Sequence, residues 1–236
     1  MNKTPWYLKL LGRKRRVAAI MMEPLQGEGG IKPGTKSYFE LARNLCDKSE
    51  TSLLVMDEVQ VGMGRSGNLW GHERLGVTPD VFTSAKGLGG GIPIGALLTN
   101  GAASTVFGPG DHASTYGGNP LACSAGLAIA KAFTDEDILQ NVNLRSEQLV
   151  SGLNKIQEKY PNIIKEVRGW GLLIGVELTS TTPLLASNVV KTAMENGLLL
   201  VPAGLKVVRF VPRLNVKEEE IASALEMFEE VIKGVA

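Results

Sequence analysis

Apolar residues along this chain keep two rhythms, and the changes from one to the other mark out its elements. Val17–Met22 (VAAIMM), Ser52–Met56 (SLLVM) and Pro79–Ala85 (PDVFTSA) are short apolar runs of the kind that fill a buried sheet. Between the first two, Ser37–Asp47 predicts an amphipathic helix with Phe39, Leu41, Ala42 and Leu45 as its apolar contacts. Strand, helix and strand in that order make a βαβ unit, with parallel strands and a right-handed crossover. Ile92–Asn100 (IPIGALLTN) returns as another short strand.

Farther along, Pro120–Phe133 is a small-residue helix expected to pack closely. Asp135–Lys159 is a longer amphipathic helix with Ile138, Leu139, Val142, Leu149, Leu153 and Ile156 on its apolar side, and KYPN stops it. From there short strands and helices alternate: strands at Ile163–Val167 and Leu172–Leu178, a helix over Leu184–Asn196, strands at Leu198–Val201 and Val207–Val211, and a final helix from Glu218 to about Ile232. This change of texture puts a domain boundary near residue 137, dividing the chain into 1–137 and 138–236.

Composition narrows the classes of function. With 236 residues, 44% hydrophobic and 21% charged, the chain can bury a substantial core. A formal charge of +1 gives no field that argues for nucleic acid. Cys46 and Cys123 lack any paired spacing, which fits a reducing compartment, and His72 with His112 are too few for a histidine-rich metal centre. No apolar run approaches the roughly 20 residues that span a bilayer. The basic cluster at Lys9 and Arg13–Arg16 is expected to be a solvated, partly frayed start rather than a targeting signal.

Reactive side chains concentrate in Leu53–Ala96. Asp57 ends one predicted strand, and Lys86 follows another in a turn of small residues, SAKGLGGG, where the backbone can bend sharply. Both therefore stand at carboxyl ends of strands in an open α/β sheet, where such folds bind ligands. An acid beside a lone lysine suits a cofactor whose ring nitrogen is kept protonated and whose aldehyde is captured as a Schiff base. Pyridoxal phosphate has both needs. Two other readings fail. LLVMDE resembles the acidic strand end of a P-loop hydrolase, but no G-x-x-x-x-G-K-[ST] accompanies it. Gly62, Gly64 and Gly67 spell G-x-G-x-x-G, but Glu58–Val61 separate them from the strand, and a mobile surface turn is the plainer expectation.

Five segments carry a resemblance: MEPLQGEGG at Met22–Gly30, DEVQVGMGRSG at Asp57–Gly67, PDVFTSAKGLGGGIPIGA at Pro79–Ala96, HASTYGGNPLA at His112–Ala122 and VRGWGLLIGVEL at Val167–Leu178. In this order they resemble class III pyridoxal-phosphate-dependent aminotransferases, most of all the acetylornithine branch of cyanobacterial and plastid type. The resemblance implies an α/β fold-type-I transferase: a partial large domain with a mostly parallel sheet, then a C-terminal α+β small domain. It implies that Lys86 bonds the cofactor and moves the proton, and that Asp57 pairs with the ring nitrogen. Val59 would lie against the ring face and Gln60 near the phenolic oxygen. Thr115 would reach the cofactor phosphate of a neighbouring subunit, so the partner is a second copy in a homodimer. Arg209 would hold the substrate carboxylate, with Glu28 neutralising it when no dicarboxylate is present and Glu23 at the same end.

The implied reaction transfers the δ-amino group of N-acetylornithine to 2-oxoglutarate in arginine synthesis, in the cytoplasm or a plastid stroma, with no membrane or nucleic-acid partner. Alternatives are an aminotransferase for ornithine, succinylornithine or 4-aminobutyrate, or a catalytically impaired relative serving as a dimerisation module. The chain departs from the family in length. The family's N-terminal part, with its glycine-threonine phosphate loop, ring-stacking aromatic and second substrate arginine, has no counterpart in residues 1–16. The expectation is therefore an N-terminally truncated member, prone to self-association or poor solubility because apolar strand surface is left open. Arg213 in VPRLNV stands where a proline or small residue is expected.

Overall fold

The computed structural model describes residues 17–49 and 51–235. The basic cluster at Lys9 and Arg13–Arg16 lies outside the described residues. Strands β1 (Ala19–Met22), β2 (Leu25–Gln26) and β3 (Lys32–Pro33) precede helix α1 (Lys36–Asp47), and β4 (Leu53–Asp57), a short α2 (Gly71–Leu75), β5 (Val81–Ser84) and β6 (Ala96–Thr99) follow. Helices α3 (Pro120–Asp135) and α4 (Ile138–Lys159) lead into β7 (Ile164–Trp170), β8 (Leu173–Leu178), α5 (Ala186–Glu195), β9 (Val201–Pro202), β10 (Val207–Phe210) and α6 (Glu218–Gly234).

The first sheet runs β1-β4-β5-β6, with β1–β4 and β4–β5 parallel and β5–β6 antiparallel. Alternation along β4 buries Leu54 and Met56 against Phe39, Ala42 and Cys46 of α1. Two expectations are corrected here. β1 is not a buried strand: it stands at the sheet edge, and Ala19 and Met21 point to solvent. On α1, Leu41 and Leu45 are 56% and 53% exposed, because the core-facing stripe is Phe39, Ala42 and Cys46 at i, i+3 and i+7.

A third correction concerns α3. Only Ala122 of that helix is buried, so its small residues do not mark a tightly enclosed element. Asn119 caps it, Oδ1 accepting from Ala122 N at 3.0 Å, with Pro120 in the first turn. The helix ends at Asp135, and α4 begins at Ile138 after a two-residue bend.

The second sheet, β7-β8-β10-β9, is antiparallel throughout. Val142, Leu149, Leu153 and Ile156 of α4, Val189 of α5 and Phe228 and Ile232 of α6 pack on one of its faces. Phe210 meets Phe228 edge to face at 5.0 Å. Each such buried side chain contributes about 1.5–3 kcal/mol, so this layer anchors the C-terminal half. The strand expected at Leu198–Val201 begins at Val201, where pairing with Arg209 of β10 starts. A smaller cluster of Leu25, Ile31, Val61, Leu173, Ala203 and Val207 joins the loops of the first half to the second sheet. That junction carries the candidate site.

Candidate active site

Parallel pairing of β4 with β5 sets Asp57 opposite Thr83, near the carboxyl ends of both strands. Asp57 Oδ1 accepts from Val59 N at 3.0 Å and from Thr83 Oγ1 at 3.2 Å. Its second oxygen accepts no bond among the described residues and is open to a further donor. Lys86 opens the 3-10 turn Lys86–Gly89 just after β5, and its side chain is exposed. Its φ is 48°, a left-handed conformation that costs an L-residue about 1–2 kcal/mol and collects at functional sites.

Two hollows flank these residues. Lys86 lines a cavity of about 600 Å³ with Val59, Gln60, Met63, Arg65 and Phe133. Asp57 and Glu23 line a separate groove of about 500 Å³ with Met21, Gln26 and Tyr38. The expected cofactor residues are thus divided: Val59, Gln60 and Lys86 share one hollow, and Asp57 faces another. Thr115 joins neither hollow, lying in the exposed stretch 106–118. Glu23 is occupied locally, its Oε2 accepting from Gly27 N at 2.9 Å.

Glu28, Gln60 and Arg209 form one network. Arg209 on β10 donates from Nη1 to Glu28 Oε1 at 2.8 Å and to Gln60 Oε1 at 3.1 Å, and Gln60 Nε2 donates to Glu28 Oε1 at 3.2 Å. Both ends of the Gln60 amide are therefore engaged by the ion pair rather than turned toward a cofactor oxygen. The hydrogen bond from Arg209, reinforced by its charge, holds the Glu28 carboxyl below its usual 4.5. The partners differ in freedom: the Glu28 side chain is 70% exposed and that of Arg209 only 11%. Solvent screens such a pair, so the carboxylate can leave while the guanidinium stays.

Several supporting residues escaped the sequence reading. Glu58 is buried and accepts from Gly71 N, His72 N (both 2.8 Å) and His72 Nδ1 (2.9 Å), fixing the start of α2. Strand alternation was the available signal, since it turns Glu58 inward when Asp57 faces the groove. Arg65 donates from Nη1 to Leu172 O at 3.0 Å and to Pro212 O at 2.5 Å, and burial pulls its guanidinium down to about 10. Gly62, Gly64 and Gly67 are buried, so the loop after β4 is packed rather than a mobile surface turn. Arg213 pairs with Glu220 at 2.7 Å, which gives that unexpected cation a structural partner. Among the described residues no cluster of His, Cys, Asp and Glu can hold a metal ion, and no helix is long and apolar enough to cross a membrane. By donor type, the exposed amine of Lys86 and the open carboxylate oxygen of Asp57 match the ring end of an aldehyde-bearing heteroaromatic cofactor, while the two side chains line separate hollows.

Comparison with known proteins is consistent with these features. The family model described as aminotransferase class-III matches residues 8–232. An acetylornithine aminotransferase of Nostoc sp. is 60% identical over 221 residues, which is 93% of this chain and 51% of that protein. The Synechocystis sp. acetylornithine aminotransferase is 57% identical over 92% of this chain and 50% of its own length. Among solved structures, N-acetylornithine aminotransferase from Stenotrophomonas maltophilia superposes with a TM-score of 0.82 at 40% identity, over 92% of this chain and 57% of that one. Ornithine aminotransferase from Plasmodium yoelii superposes with a TM-score of 0.86 at 32% identity, over 92% and 58%. The chain spans about half the length of the curated relatives it matches.

Proposed function

The chain belongs to the class-III aminotransferase family, and from that membership we propose that it serves the transfer of the δ-amino group of N-acetylornithine to 2-oxoglutarate, with pyridoxal phosphate as cofactor. The observation that carries this reading is the placing of Asp57 and Lys86 at the carboxyl ends of the neighbouring strands β4 and β5, with Lys86 in a strained backbone. Relatives named for acetylornithine, at 57–60% identity, favour that donor over ornithine.

When bound, pyridoxal phosphate supplies an aldehyde that takes over the amino group and a ring that draws electrons from the carbon being deprotonated. Asp57 Oδ2 would hold a proton on the ring nitrogen, the carboxylate being oriented by Val59 N and Thr83 Oγ1, which donate to its Oδ1. Lys86 Nζ would be the amine that holds the aldehyde end of the cofactor, and its free amine would serve as the base that moves the proton from the donor carbon. Val59, which lines the hollow with Lys86, would lie against the ring and keep water from its face. Arg209 binds a substrate carboxylate through its planar fork. Glu28 competes for that arginine and yields to a dicarboxylate, so one site serves two substrates of different charge. Glu23 supports this end by holding the turn that carries Glu28.

Thr115 would donate to the phosphate in a second copy, making the working unit a homodimer. Support for an interface comes from the open apolar surface of Leu97, Leu98, Val106, Phe107 and Tyr116. We take residues 1–137 and 138–236 as the two domains, divided where α3 gives way to α4. The setting is the cytoplasm, or a plastid stroma in a eukaryote, where Cys46 and Cys123 remain thiols. A glutamate-forming assay with pyridoxal phosphate and 2-oxoglutarate tests the substrate. The proposal expects a higher kcat/KM with N-acetylornithine than with ornithine, and the reverse order would overturn the substrate assignment.

A further inference from the structure

The turn that carries Glu28 is held at its far end by a device in the second sheet. Arg168 on β7, Gly175 on β8 and Arg209 on β10 form one row across three strands. Arg209, at one end of the row, holds the Glu28 carboxylate. Arg168, at the other end, donates from Nη2 to Gly30 O at 2.7 Å and from Nε to Ile31 O at 2.8 Å. Gly175, between them, leaves a hole that Ile31 fills. A Cβ on Gly175 would stand 2.8 Å from Ile31 Cβ and 2.9 Å from Val207 Cγ1. Ile31 is fully buried with φ at 49°, a left-handed conformation that a β-branched residue keeps only when its surroundings impose it.

These contacts explain how an exposed carboxylate keeps its place. Glu28 is too open for its own ion pair to order the turn, because solvent screens it. The turn is instead tied at both ends, by Glu23 on Gly27 N and by Arg168 on Gly30 and Ile31. Arg168 is aimed in turn by Glu166, at 2.9 Å from Nη1, and by Glu177, which leaves Nε and Nη2 for the two carbonyls. Resting on the reading of Arg209 as the substrate-carboxylate arginine, we propose that Arg168 and Gly175 are positioning residues that set Glu28 as the internal competitor for Arg209. They thereby tune how readily the site accepts a dicarboxylate.

The test uses the full chain without cofactor and glutarate as the dicarboxylate probe, with affinity read by titration calorimetry. Glu28→Gln removes the competitor outright. Arg168→Gln and Gly175→Ala each release the turn, and each is expected to tighten glutarate about twofold to fivefold, the range an exposed ion pair spans. In the Glu28→Gln background neither should tighten it further, since the competitor is already gone. Arg168→Lys keeps the charge but loses the fork and should recover part of the effect. Glu166→Gln, which removes one of the two carboxylates that aim Arg168 but leaves Glu177 and both carbonyl bonds, should shift glutarate affinity less than Arg168→Gln. Where glutarate binds, equal shifts in both backgrounds, or no shift in either, would overturn the proposal.

A ligand-free readout separates this inference from the functional reading. Carboxyl NMR should follow Glu28 titrating below 4.5 in wild type and moving up toward that value in Arg168→Gln and Gly175→Ala, with native amide dispersion verified in each. An unmoved Glu28 titration overturns the positioning role. Glutarate binding absent from every chain, with the Glu28 shift intact, would sink the reading of Arg209 and leave the positioning standing.

Discussion

Replacing Gly171 by alanine strikes the contact through which the glycine-rich loop after β4 meets the second sheet. Gly171 lies in the β7–β8 turn with φ at 54°, and an L-side chain in that conformation costs about 1–2 kcal/mol. The added Cβ would meet main chain, with Ser66 C at 2.5 Å, Gly67 N at 2.6 Å and Arg65 O closer still. Main chain cannot rotate aside as a side chain can, so the loop and the hairpin must part. Parting breaks the bond from Leu172 N to Arg65 O, worth about 0.5–1.5 kcal/mol. It also breaks the charged bond from Arg65 Nη1 to Leu172 O, worth about 1.5–3 kcal/mol. The expected loss is roughly 3–6 kcal/mol, a large part of a domain's whole stability. Urea unfolding followed by tryptophan fluorescence reads it directly, since Trp170 adjoins the turn. With a slope of about 2 kcal/mol/M, the midpoint should fall by roughly 1.5–3 M. A fall under about 0.5 M would mean that hairpin and loop are not in the contact described.

Three other substitutions probe different parts of the account. Glu58→Ala leaves Gly71 N and His72 N without their acceptor and should cost about 2–4 kcal/mol in the same unfolding experiment; a loss under about 1 kcal/mol would deny Glu58 its anchoring role. Lys86→Gly relieves the left-handed strain and should raise stability by about 0.5–1 kcal/mol while abolishing cofactor attachment, so a destabilised variant would contradict the strained backbone. Glu28 titrates below its usual 4.5 in the folded chain, so its stabilising contribution is present above that value and lost as pH falls through the lower folded one. The urea midpoints of wild type and Glu28→Gln should accordingly differ at pH 7 and converge as the pH falls through that lower value. A gap that widens in acid would reverse the sign.

Local signals in the sequence reached a long way, because the parallel unit β1–α1–β4 and the strand ends bearing Asp57 and Lys86 follow from apolar runs and glycine turns alone. Facing was harder to read. Leu41 and Leu45 look like core by residue type, but Cys46 shares the stripe of Phe39 and Ala42 and takes the buried place. Position in the sheet was also hidden: VAAIMM reads as an interior strand, and only pairing with β4 alone reveals an edge. Long-range polar contacts left no periodic trace. Arg65 reaches Leu172 and Pro212, and Arg168 reaches Gly30 and Ile31, across more than a hundred positions of sequence. Nothing in RSG or VRGWG specifies such partners.

Incubating the chain with pyridoxal phosphate, reducing with sodium borohydride and mapping the fixed adduct by peptide mass spectrometry tests the central claim most directly. The account predicts one dominant modified peptide, carrying Lys86, that disappears in Lys86→Ala without a rise elsewhere. Labelling scattered over surface lysines, equal in wild type and variant, would contradict the assignment of Lys86 and of the cofactor it holds.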